Sequence, residues 1–145
     1  MLKKLPPLEK VYEAWSTLAD GRVRKTAAGY EIDSSDRGKT YTVVPDGNVY
    51  AATDSATYWQ GYPGYPVLAV WMLEGILPYH RELAARLQGV PWKQLNEKHK
   101  RNYAAAAEEA FTGLAPETVG EMKKAAADIM ALLPQLDVSV RRGKK

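Results

Sequence analysis

The sequence predicts an α+β fold: a small antiparallel β-meander of about four strands, with four to five helices packed on one side of it. Three observations carry this. Between Arg22 and Ala52, short strand-prone runs are separated by turn-forming residues. From Val67 to Leu73 the chain reads VLAVWML, apolar at every position, and a helix that is apolar all round must be buried all round. Outside these two stretches, apolar residues recur at helical spacing.

Taken in order, the first element is a helix over residues 7–19. Pro7 starts it, Leu8, Val11, Tyr12, Trp15 and Leu18 share one face, and Asp20-Gly21 stops it. Arg22–Thr26 and Tyr30–Asp33 alternate in polarity, which sets one face on a core and the other in water. Tyr41–Val44 and Val49–Ala52 read as a hairpin, with Pro45-Asp46-Gly47-Asn48 as its turn. The segment from Ser55 to Tyr65 contains the repeat Gly61-Tyr62-Pro63, Gly64-Tyr65-Pro66; two prolines and two glycines predict irregular structure there. Tyr65-Pro66 opens the apolar helix, since proline suits a first helical position. Gly75 and Pro78 end it, short of the roughly 20 residues that a membrane span needs. Further helices are expected over Tyr79–Leu87, in one long run from Pro91 to Phe111, and from Pro116 to Leu133.

These elements make one domain over residues 1–137, followed by a mobile basic tail over 138–145. Hydrophobic residues at 46% and charged ones at 26% exclude wholesale disorder. Cysteine is absent, which removes disulfides, thiolate catalysis and cysteine-based metal sites. Met1-Leu2-Lys3-Lys4-Leu5 runs into Pro6-Pro7 and not into an apolar stretch, so an intracellular, cytoplasmic protein is expected. The net charge of +3 is unevenly spread, with an excess of base in 61–107 and in the tail, and an excess of acid in 108–137.

Residues 38–77 resemble the SWIM-type zinc finger. That family has a strand pair carrying Cys-x-Cys, a variable loop, then Cys-x-His opening a helix of aliphatic residues. Tyr50-Ala51-Ala52-Thr53-Asp54 is similar to the first segment in placement, and Tyr65-Pro66-Val67-Leu68-Ala69-Val70 to the second. Tyr50, Ala52, Tyr65 and Val67 stand at the four ligand positions, and none can bind zinc. The resemblance therefore implies a degenerate, metal-free SWIM-like core in which Tyr50, Tyr58, Trp59, Tyr62 and Tyr65 pack where a metal would cross-link. It also implies a DNA-binding or protein-interaction role.

Enzyme chemistry has little to stand on. His80 and His99 are the only histidines, and neither sits in a nucleophile–base motif. Asp54-Ser55 at the hairpin exit reads as an Asx-type turn, with a cleft-facing acid as the alternative. Glu74 and His80 would make an acid–base pair only if the fold joined them. No cofactor or metal is expected.

Basic residues are better grouped. Lys93, Lys98, His99, Lys100 and Arg101 fall within nine residues of the long helix, with Lys93, Lys100 and Arg101 close on its surface. Arg141, Arg142, Lys144 and Lys145 charge the tail, and Arg22, Arg24 and Lys25 make a third group. Such groups hold phosphate backbones without regard to base sequence; Trp59 and Tyr62 would stack on bases, or, with Tyr58, cover the buried helix. The expectation is a non-enzymatic nucleic-acid-binding module, for DNA or RNA, with no membrane role. The alternative is a protein-interaction or assembly subunit, with a protein partner or a second copy bound through loop 58–65 and the alanine-rich helix faces. An enzyme is the third reading.

Overall fold

A computed structural model describes all 145 residues, and it is an α+β fold. The elements are α1 (Lys10–Ala19), β1 (Val23–Lys25), β2 (Tyr30–Asp33), β3 (Thr40–Asp46), β4 (Val49–Ala52), α2 (Tyr65–Leu73), α3 (Arg81–Ala85), α4 (Trp92–Lys98), α5 (Tyr103–Ala110), α6 (Pro116–Leu132) and β5 (Ser139–Arg142). The sheet order is β1-β2-β3-β4-β5. The first four strands form the expected antiparallel meander. The fifth, drawn from the tail, lies parallel to β4 on the sheet edge.

That fifth strand corrects the expected count of four and the expected mobile tail. Val140 is opposite Tyr50 and joins the inner face, while Val138 just before it is buried. Two apolar residues in an eight-residue basic segment were enough to dock it, and the open edge of β4 supplied the backbone partners. No helix is long and apolar enough to cross a membrane.

Residues opposite one another across strands share a face, so the inner face can be read from the register. Tyr30, Val43 and Ala52 form one inward row, Ile32 lies inward on β2, and Tyr50 with Val140 forms another row. Helix α2 lies on this face against β3, and α1 covers its other side. Pro66 to Met72 are buried as the apolar run requires, and only Leu73 at the end reaches solvent. The C-terminal end of α2 is tied to the sheet by Glu74, whose Oε1 accepts from the Tyr50 hydroxyl at 2.6 Å and whose Oε2 accepts from Tyr30 at 2.9 Å.

Three further boundaries differ from expectation. The turn between β3 and β4 is only Gly47-Asn48, because Pro45 and Asp46 stay in the strand. Proline is tolerated there since β2 pairs with β3 only as far as Val43. Residues Ala56–Gln60 form a short π-helical turn within the segment expected to be irregular; the Gly/Pro pairs lie just after it. The long helix from Pro91 to Phe111 is two helices, giving six α-helices, and the break falls at the basic residues themselves.

Gly29 shows how tightly β2 meets β3. A Cβ there would strike the Val43 carbonyl oxygen and press on Pro45. Gly29→Ala should therefore cost about 1–3 kcal/mol, the usual range for overpacking. Urea unfolding would check this, and an unchanged midpoint would contradict the packing described.

Candidate functional site

At one end of the sheet lies a cleft of about 630 Å3. Its walls are the N-terminal half of α1, the loop between β2 and β3, and α4 with the turn that follows it. Hydrogen bonds fix α4 in place. Trp92 Nε1 donates to Ser16 Oγ at 2.8 Å, and that hydroxyl donates to the Leu87 carbonyl at 2.7 Å. The Lys93 amide donates to Ser35 Oγ at 3.0 Å, and the Gly89 amide donates to Asp20 Oδ1 at 2.7 Å. A buried polar group without a partner is costly, so these contacts dictate one seating for α4.

The floor carries charge that water barely reaches. Lys10 is 8% exposed and meets Glu13 at 3.1 Å. Burial pulls its ammonium down, but the Glu13 carboxylate and the Tyr103 ring outweigh that, so its pKa ends above the ordinary value. Arg22 is 2% exposed; it donates to Asp20 at 3.1 Å and to the Asp33 carbonyl at 2.9 Å. The rim carries Lys39, Lys93, Lys100 and Arg101. Lys93 is held by Asp36 at 3.1 Å. Lys39, Lys100 and Arg101 have no side-chain partner in the protein.

Lys100 and Arg101 also stand on unusual backbone. Their φ angles are +53° and +66°, in the left-handed region that normally falls to glycine. The Arg101 amide donates to the Asn96 carbonyl at 2.8 Å to close α4, and Asn102 then caps α5 by accepting from the Ala105 amide at 3.1 Å. Two long cationic side chains in this conformation cost about 1–2 kcal/mol each. Strained positions of this kind gather at functional sites.

A side chamber of about 100 Å3 opens from the cleft, sharing Lys10, Tyr41, Ser55 and Tyr65 with it. Asp54 lines it and is 3% exposed. Both readings of this residue hold: its Oδ2 accepts from the Thr57 amide at 3.1 Å in an Asx-type turn, and it faces a cavity. Its Oδ1 has no partner, and burial pushes the carboxyl above its ordinary pKa.

The predicted site residues divide between two places. Lys93, Lys100 and Arg101 are in the cleft, on α4 and its terminal turn and not along one helix surface. Lys98 points elsewhere and pairs with Glu109 at 2.7 Å. Arg141 faces Asp46 at 3.5 Å. Arg142 donates from Nε to the Tyr58 carbonyl at 2.7 Å, and its guanidinium lies 5.0 Å from the Tyr58 ring centroid and 5.5 Å from that of Trp59. Lys145 sits 4.5 Å from the Tyr58 ring centroid, and Lys144 is exposed. Trp59 is 63% exposed. Tyr62 is corrected as a stacking residue: it is 9% exposed and turned into the protein, with Lys4 over its ring. The third basic group is largely neutralised, Arg22 by Asp20 and Arg24 by Asp33.

Residues that the sequence did not single out complete the cleft: Lys10, Glu13, Lys39 and Ser35. Lys10 and Glu13 lie within α1 and Ser35 and Lys39 in the loop between β2 and β3, and polar residues at such positions are common on any surface. Glu74 and His80 are not joined. Glu74 serves Tyr30 and Tyr50, whereas His80 lies edge-on to Trp15 at 5.8 Å. Ala106 and Ala107 of the alanine-rich segment are consumed in the core.

The four positions that resemble zinc ligands pack instead. Ala52 and Val67 are wholly buried, Tyr50 meets the Trp71 ring at 5.6 Å, and Tyr65 meets Tyr41 at 6.5 Å. These side chains do not fit a zinc ion.

The cleft and the aromatic patch share one end of the sheet. Asp33 faces Thr40, Ala52 faces Val43, and Arg142 faces Ala52, so β2, β4 and β5 all end where β3 begins. Across residues 3–139 the chain matches the family described as Uncharacterised conserved protein UCP014422, and it belongs to that family. No curated protein and no solved structure matches it.

Two outcomes follow from this geometry. Asp33 accepts both Arg24 nitrogens, at 2.6 and 2.9 Å, and this holds its carboxyl at about 2, below the ordinary 3.8. A depressed folded-state pKa gives stability that is present above pH 4 and lost as the pH falls toward 2. Arg24→Ala should make that acid-side loss shallower, Thr40 and Arg37 still holding part of the shift; urea unfolding at several pH values between 2 and 5 would measure it, and an unchanged acid limb would contradict the pairing. Lys100→Gly and Arg101→Gly should each raise stability by about 0.5–1 kcal/mol, the relieved backbone cost less the greater freedom of the unfolded chain. Thermal melts that moved downward would refute the strain.

Proposed function

We propose that the protein is a non-enzymatic module that binds single-stranded nucleic acid, DNA or RNA, across one end of its sheet. The observation that carries this reading is the convergence of two phosphate-holding elements that lie some forty residues apart in the chain. Lys39, Lys100 and Arg101 present unpaired charge at the cleft. Arg142 and Lys145 present it against the rings of Tyr58 and the exposed Trp59, with Lys144 exposed between them in sequence. From β2 to β5 is three strand spacings, about 14 Å, the length of roughly four stacked nucleotides. Base stacking on an aromatic ring is tolerant of sequence and requires unpaired bases, which favours single strands.

The order hairpin, loop, proline-opened buried helix supports treating residues 38–77 as a metal-free SWIM-like core, held by aromatic packing. The same reading places the protein in the cytoplasm, among nucleic acid, where a chain without cysteine loses nothing. An assembly role through loop 58–65 has less support, because Tyr62 is buried and Arg142 and Lys145 already occupy the neighbourhood of Trp59.

Fluorescence anisotropy with mixed-sequence oligonucleotides should show affinity falling with salt, and single strands bound more tightly than duplex. Each phosphate contact on a single strand contributes about 0.7 to the slope of log K against log salt. Replacing Arg142, Lys144 and Lys145 by alanine should therefore make the slope shallower by about 2. Point substitutions are preferable to truncation, which would remove β5. Absence of binding to any oligonucleotide at low salt would end the proposal.

A further inference from the structure

We infer that the cleft receives the terminal phosphate monoester of a nucleic-acid strand, so that the protein engages strand ends and not only strand interiors. This rests on the nucleic-acid reading above and narrows it.

Charge is the first ground. Of the cations at the cleft, Lys10, Arg22 and Lys93 are already paired, with Glu13, Asp20 and Asp36. Lys39, Lys100 and Arg101 are left, opposed on the cleft lining by the unpaired carboxylate of Glu97; Asp54 lies apart in the side chamber, where burial favours its neutral form. The remaining excess is two positive charges. An internal phosphate diester carries one negative charge, whereas a terminal monoester carries about 1.5 to 2 near neutral pH. The cleft is matched to the monoester.

Shape is the second. Buried Lys10, Glu13, Arg22 and Trp92 close the floor, so the cleft is a recess and not a channel. A strand interior must enter and leave a site, but a strand end only enters. The volume of about 630 Å3 is that of a small-molecule pocket and accepts a phosphate with its sugar.

Donor chemistry is the third. The Arg101 guanidinium supplies a planar fork for two phosphate oxygens. The Ser35 hydroxyl accepts from the Lys93 amide, which leaves its own proton free, and the Tyr41 and Ser55 hydroxyls have no partner. Neutral donors add hydrogen bonds without adding charge. From the cleft, the next nucleotides lead across β3 and β4 to Trp59 and Arg142.

The test uses six-nucleotide oligomers of one sequence with a 5′-phosphate, a 3′-phosphate or neither, labelled at the opposite end, in anisotropy titrations at fixed salt. A phosphorylated end should bind about tenfold more tightly than the unphosphorylated oligomer, equivalent to about 1.4 kcal/mol. In the Lys100→Gly, Arg101→Gly double variant, whose backbone tolerates glycine, that ratio should collapse toward one. Equal affinity for all three oligomers would overturn the inference while leaving the nucleic-acid reading intact. Failure of every oligomer to bind would overturn both. A preference that survives in the double variant would remove the cleft as its source. Competition by a nucleoside monophosphate at concentrations matching the oligomer would transfer the recess from strand ends to free nucleotides and overturn the inference as stated.

Discussion

The fold depends on burying a helix that has no solvent face. Val67, Leu68, Ala69, Val70 and Trp71 are all fully excluded from water, so α2 can exist only with cover on every side. The sheet supplies one side and α1 the other. Burying each large side chain contributes about 1.5–3 kcal/mol, more than any surface ion pair in the molecule. The consequence reaches the cleft directly. Tyr65 opens α2 and lines the cleft, while Lys10 and Glu13 open α1 and form its floor. The same contact that stabilises the domain sets the spacing of the site.

What apolar burial cannot fix is the seating of α4, which has only Trp92 and Leu95 in the core. A short helix with so little buried surface is placed by hydrogen bonds instead. The Trp92–Ser16–Leu87 relay lies inside the protein, while Asp20 holds the Gly89 amide in the connection before α4 and Ser35 holds the Lys93 amide in its first turn. Core and site are therefore positioned by different forces. Loosening the relay would move Lys93, Lys100 and Arg101 without unmaking the sheet.

This division explains how far the sequence could be read. The buried helix, the hairpin and the meander were legible because their signals are local: the proline at Pro66 opens VLAVWML as a helix and Gly75 closes it, and Gly47-Asn48 lies within the turn-forming run Pro45–Asn48. The fifth strand was not, because a parallel partner for Val140 arrives from ninety residues away and leaves no local mark. Nor was the break at Lys100-Arg101. Neither residue favours left-handed backbone, so composition pointed to an unbroken helix. Of the site, the charges were visible, but their pairing was not. Lys98 and Arg141 look the same in sequence as Arg101, yet each has a carboxylate within reach, and only the fold reveals which cation is left over.

The gathering of unpaired cations in one recess, rather than net charge, is then what distinguishes the cleft from the rest of the surface. A net charge of +3 spread over the chain would give only weak attraction. Lys39, Lys100 and Arg101, gathered on one rim with only Glu97 against them, act at short range, and the fixed backbone of Lys100 and Arg101 needs little ordering on binding. The Arg142 and Lys145 side chains work differently, lying against the Tyr58 and Trp59 rings at an exposed edge where long side chains keep much of their freedom. A preorganised recess beside an adaptable edge is suited to a ligand with one invariant group and a variable remainder. A nucleic-acid strand has that form, since its phosphate is the same in every sequence and its bases are not.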